Sequence, residues 1–149
     1  MLRRAARPGR KGLLIGETPY PWAEAAAQSL CLLTPEMHNR TLIDHAFVQA
    51  GVRPRPVIES NSILTLGLTV LVGGVSSVLP GALVSVFSGY AELEALPLSG
   101  PEIVTPIGFM YAKTAQPSRT LKAALSMAGD PDWMAHVKAH TGLLQPTQP

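Results

Sequence analysis

Leu30-Cys31-Leu32-Leu33-Thr34-Pro35-Glu36 is the stretch that decides the fold. Its apolar run ends at Leu33, and the next three residues carry helix-starting chemistry. Thr can cap, Pro suits the first turn, and Glu favours the positive helix end. A strand feeding a helix is implied. The spacing of Leu42, Ile43, Ala46, Phe47 and Ala50 predicts that helix, with Arg40, Asp44, His45 and Gln49 on its other face and Phe47 assigned to the core. Gly51 closes it. Arg53-Pro54-Arg55-Pro56 then forces an extended connection, and Pro56 to Ser60 reads as a strand on its β-branched Val57 and Ile58.

The alternation continues on both sides of this core. Asn61 and Ser62 are good N-cap residues before an apolar helix over Ile63 to Val72, and Gly73-Gly74 is a natural stop. Val75 to Leu79 suits a central strand, with a short helix over Ala82 to Phe87 after Pro80. Two further strands are predicted, Glu94 to Leu98 and Val104 to Lys113, separated by the turn chemistry of Ser99-Gly100-Pro101-Glu102. Ser118 starts a helix carrying Leu121, Ala124 and Leu125 on one face. Asp130-Pro131-Asp132 caps another containing Trp133, Met134 and Val137. Strands alternating with helices through connections too long for hairpins define an α/β fold in three layers with a mostly parallel sheet. In such sheets ligands sit beyond the strand C-ends.

Composition narrows the function classes. The chain has 149 residues, the size of one domain, and 46% of them are apolar against 15% charged, which supplies ample surface to bury and argues against disorder. Net charge is +2, and much of the basic excess lies in Arg3, Arg4, Arg7, Arg10 and Lys11 near the N-terminus, which reads as a solvated tail and weakens a nucleic-acid reading. Cys31 is the single cysteine, so neither an internal disulfide nor a cysteine-based zinc site is available, and a reducing cytoplasm fits. Lying within an apolar run, it is expected to behave as a small hydrophobe. Leu13-Leu14-Ile15 is broken at once by Gly16-Glu17-Thr18-Pro19, too short for a secretion signal. From Glu59 to Glu92 no charged side chain intervenes, which is long enough to raise a membrane span. Gly73-Gly74, Ser76-Ser77 and Pro80-Gly81 cut it into globular lengths.

Several blocks follow one another along the chain: Trp22-Ala23-Glu24-Ala25, Leu30 to Pro35, Gly51-Val52-Arg53-Pro54, Val57 to Ser62 before an apolar helix, Gly73, Val78-Leu79-Pro80, Leu96-Pro97-Leu98 and Val104 to Gly108. In that order they resemble the effector-binding domain of the LysR-type transcriptional regulators. The similarity covers roughly Trp22 to Ala128 and is to the second lobe of a domain built like the periplasmic binding proteins from two α/β lobes around a cleft. The family's winged helix-turn-helix, linker helix and first lobe find no match before Trp22. The expected organisation is therefore a basic, poorly packed lead-in over 1–21, the effector lobe over 22–128, and a C-terminal helix with a loose tail over 129–149. The almost wholly apolar Leu68-Thr69-Val70-Leu71-Val72 departs from the polar or charged residue that relatives often carry near Gly73.

The resemblance places the helix starts at Thr34 to Asn39 and at Asn61-Ser62 on the cleft side of the lobe. Free N–H groups and the helix dipole make such ends suited to anions. Thr34, Pro35, Glu36, Asn39, Asn61 and Ser62 are accordingly the expected contacts for a small anionic effector. His136 and His140, four apart on a predicted helix, lack the Glu and third ligand of a zinc motif and read as a solvated face. Glu36 and Glu59 have no nucleophile elbow, phosphate loop or metal motif beside them, so the expectation is neither an enzyme nor a cofactor protein. What the resemblance implies is a cytoplasmic sensing module with no membrane span and no direct DNA contact of its own, pairing with another subunit or partner lobe. The competing readings are a free-standing ligand-binding or interaction module, that is, a truncated regulator without transcriptional function, and, behind it, a small enzyme.

Overall fold

The computed structural model describes residues 1–5, 14–16, 18–104, 108–112 and 116–139. In chain order the elements are β1 (Leu2–Arg4), β2 (Leu14–Ile15), β3 (Tyr20–Pro21), α1 (Trp22–Ala26), β4 (Leu30–Leu33), α2 (His38–Gln49), β5 (Ile58–Ser60), α3 (Ile63–Gly73), β6 (Ser76–Ser77), α4 (Gly81–Val84), a 3-10 turn (Ser85–Phe87), β7 (Leu93–Ala95), β8 (Leu98–Ser99), α5 (Arg119–Ala128) and α6 (Pro131–Ala139). The main sheet has the order β2-β7-β1-β6-β4-β5, and β3 pairs with β8 separately. β4 is parallel to both β5 and β6, and β2 is parallel to β7; β1 alone runs antiparallel to its neighbours. The sheet is thus mostly parallel, as the alternation of elements requires.

Four apolar residues in β4 with no polar alternation mean a strand covered on both faces. All four are buried. Leu30 and Leu32 point to a layer made by Trp22 and Ala25 of α1 with Ile43, Ala46 and Phe47 of α2, where Trp22 meets Phe47 edge-on at 4.9 Å. Cys31 and Leu33 point the other way, to Leu66 and Val70 of α3 with Val84 and Phe87 beyond. Helices on both faces of the sheet make the three layers.

The helix ends follow local chemistry. Ser62 caps α3 by accepting from the Thr65 N–H at 3.3 Å, and Gly74 closes it in the left-handed region at φ 63°. α2 ends at Gln49, with Gly51 following at φ 75°. Its start differs from the expectation. Thr34, Pro35 and Glu36 form a turn closed by the Met37 N–H on the Thr34 carbonyl at 3.0 Å, and the helix begins only at His38. The helix starts four residues past Thr34 with Met37 at the cap position, so the Thr34 hydroxyl is not its cap.

Three further expectations are corrected. Leu2–Arg4 of the lead-in is a central strand, with Leu2 fully buried and Arg3 paired to Glu94 at 2.8 Å, because its apolar residue fills the gap between β6 and β7. Arg7, Arg10 and Lys11 lie outside the described residues. Glu94 to Leu98 is two strands rather than one, since Pro97 has no N–H to continue a ladder while its carbonyl accepts from the Tyr20 N–H at 2.7 Å. Val104 and residues 108–112 form no strand; Val104 is 80% exposed and Met110 completely so. Residues 105–107 and 113 of that segment, and the tail from His140 onward, lie outside the described residues.

The described residues divide into two compact units, one within Met1–Ile103 and one from Val104 to Ala139. The first holds the sheet. In the second, α5 is capped by Ser118, which accepts from the Leu121 N–H at 3.1 Å, and α6 by Asp130, which accepts from the Trp133 N–H at 2.9 Å. Phe109 and Trp133 pack with their rings tilted at 39° and their centroids 5.7 Å apart there. Among the described residues no helix is long and apolar enough to cross a membrane, because α3, the most apolar, ends after 11 residues.

Candidate functional site

β4 and β5 are adjacent and parallel, so the chain leaves both at the same edge of the sheet. The Thr34 N–H, one residue past β4, donates to the Ser60 carbonyl at the end of β5 at 3.1 Å. This bond brings two polar loops side by side, Thr34 to Met37 leading into α2 and Ser60 to Ser62 leading into α3. Pro35, Glu36 and Asn61 are exposed; Thr34, Asn39 and Ser62 are half-buried. All six expected residues therefore belong to these two loops or to the first turn beyond them.

Their hydrogen-bonding states differ. The Ser62 hydroxyl is occupied by the cap of α3, and the Ser62 N–H donates to the Ser60 hydroxyl at 3.2 Å. α2 has no side-chain cap, so its leading N–H groups have no side-chain partner. The Thr34 hydroxyl is out of solvent and makes no hydrogen bond of good geometry among the described residues. It still lies close enough to Glu36 to favour the ionised carboxylate, and with the Glu36 backbone it holds that carboxyl below its usual range.

Beneath the loops lies a charge network. Arg40, assigned by spacing to the solvated face of α2, is buried. Its Nε donates to both Asp44 carboxylate oxygens at 2.9 and 3.0 Å, while one terminal nitrogen donates to the Leu33 carbonyl at 2.5 Å and to Glu59 Oε1 at 2.6 Å. Burial acts to lower its pKa, but the hydrogen bonds it donates to Glu59 and Asp44 and their negative charges outweigh it and hold the guanidinium above its ordinary value. The Arg40-Asp44 spacing of four was the one sign of this pair in the sequence. Glu59 meets them only through the sheet.

Cys31 lies beside Ser77 in the register of β4 and β6. Burial pushes its thiol pKa up, partly offset by the Ser77 hydroxyl and its own backbone, which makes it a core residue rather than a nucleophile. Of the histidine pair, His136 lies in α6 and His140 is outside the described residues.

A three-layer α/β unit whose parallel strands end at polar loops and helix starts belongs to the class that binds small molecules beyond its strand C-ends. A family model described as the LysR substrate binding domain matches residues 9–130. The chain belongs to this family, whose members bind small-molecule effectors.

Proposed function

We propose that the chain is the sensing module of a LysR-type transcriptional regulator and that it binds a small anionic metabolite at the paired loops after β4 and β5. The observation that carries this is the Thr34–Ser60 bond, which sets the starts of two helices of 12 and 11 residues next to each other. Each helix start offers about half a positive charge and unsatisfied donors. The Thr34 hydroxyl lies beside them, turned towards the Glu36 carboxylate. Thr34, Pro35, Glu36, Asn39, Asn61 and Ser62 form the contact set, with Glu36 at the exposed rim, where its charge restricts how an anion enters.

On this reading the module is cytoplasmic, is not an enzyme, acts with a second subunit or partner lobe, and leaves DNA contact to other parts of the regulator. Binding shifts the regulator only through different affinities for its two arrangements. The test is an amide chemical-shift titration with small carboxylates, inorganic anions and matched neutral compounds. Anions are expected to shift Thr34, Asn39 and Asn61 in the millimolar range, corresponding to about 4 kcal/mol. Equal shifts from neutral compounds, or shifts confined to the arginines near the N-terminus, would refute the site.

A further inference from the structure

We infer that Arg40 is the positioning residue of the candidate site, the group that holds the two loops in register. This inference rests on the reading of those loops as the effector site, but its structural core stands apart from any ligand. The Leu33 carbonyl that Arg40 grips and the Thr34 N–H that donates to Ser60 belong to one peptide group. A peptide group is planar, so turning it to release one bond breaks the other. Arg40 pins the plane from one side and Ser60 from the other.

The same guanidinium reaches three elements. It holds the end of β4 through Leu33, β5 through Glu59, and its own helix α2 through Asp44. Glu59 immediately precedes Ser60, so the grip on Glu59 also fixes the acceptor of the cross-loop bond. A lysine retains the charge but offers a single nitrogen in place of a planar fork, and it cannot make the contacts to Asp44 through Nε and to Leu33 and Glu59 through a terminal nitrogen together. Nor is the grouping a free anion site. One cation faces the two carboxylates of Asp44 and Glu59, so its charge is more than matched, and its role is geometric.

Amide hydrogen exchange tests this in the full chain, comparing the wild type with Arg40→Lys and Glu59→Gln. The Thr34 N–H is expected to exchange at least about tenfold faster in Arg40→Lys, and by a smaller factor in Glu59→Gln, while the Cys31 and Leu32 amides of the same strand change much less. Equal acceleration of all three amides, or an unchanged Thr34, overturns the inference, since either result makes Arg40 a general stabiliser. If Arg40→Lys does not fold, Glu59→Gln decides by the same criterion. A sulfate titration of the folded variants supplies the second readout. Arg40→Lys keeps the charge, so weaker sulfate shifts at Asn61 than in the wild type report lost geometry and support the inference, whereas equal shifts count against it. Absence of sulfate shifts in the wild type counts instead against the anion reading, and the exchange rates then settle the role of Arg40.

Discussion

Met1 and Gly67 show how much a single position can depend on its surroundings. The Met1 amino group is buried, donates to the Leu96 carbonyl, and is held from an ordinary 8.0 down to about 5 by burial. Between those values the unfolded chain takes up a proton that the folded chain refuses. The contribution is therefore fully present above pH 8 and is lost as the pH falls towards 5, by at most about 1.4 kcal/mol per unit. Nitrogen NMR of a chain labelled at the Met1 amine should show it neutral at pH 7, with a titration near pH 5. A midpoint close to 8 would contradict the burial argument. At Gly67, helix propensity favours alanine by about 1 kcal/mol. A Cβ there would run into the Phe87 ring, which is itself fully enclosed and has no space to yield. Overpacking should win, so Gly67→Ala is expected to lower stability by about 1–3 kcal/mol in urea denaturation. Adding Phe87→Leu should recover part of the loss, and a stabilised single variant would show that the ring moves freely.

At the level of elements, α3 is the most exposed to test. Its cap is the Ser62 hydroxyl, and Ser62→Ala should cost about 1 kcal/mol in thermal or urea unfolding. Only Leu66, Gly67 and Val70 of α3 are buried, while Leu64, Leu68 and Val72 lie exposed in steps of four. An uncharged helix with an aliphatic ridge in water should bind a hydrophobic dye and promote loose self-association. Replacing Leu64 with Glu and Leu68 with Lys should cut dye fluorescence severalfold while changing stability by less than about 0.5 kcal/mol. A large loss of stability would mean that the ridge is packed in solution.

Over the whole molecule, stability is expected to be uneven. β4 is buried on both faces, whereas α5 of the second unit has no buried residue. Local opening follows buried contact, so Leu121 to Leu125 should exchange amide hydrogens orders of magnitude faster than Cys31 to Leu33. Uniform protection across both would show that the second unit is covered. The same contrast limits what the sequence could convey. Alternating apolar runs were enough for the class of fold, and Ser62, Gly51 and Gly74 punctuated the helices where their chemistry dictates. The strand expected from Val104 to Lys113 was read from composition, but a strand exists only where another offers it hydrogen bonds.

What the sequence by itself determined were the local matters: which runs are apolar, where α3 and α2 end, and which loops carry polar residues after β4 and β5. These follow from side-chain period and backbone preference within a few residues. Only the tertiary structure decided that Leu2–Arg4 enters the middle of the sheet, that Thr34 bonds to Ser60, and that Arg40 is buried between Asp44 and Glu59. Each depends on a partner distant along the chain: Leu2 on Ser77 and Ala95, Thr34 on Ser60, Arg40 on Glu59. Sheet pairing creates those neighbours, and no local pattern announces them.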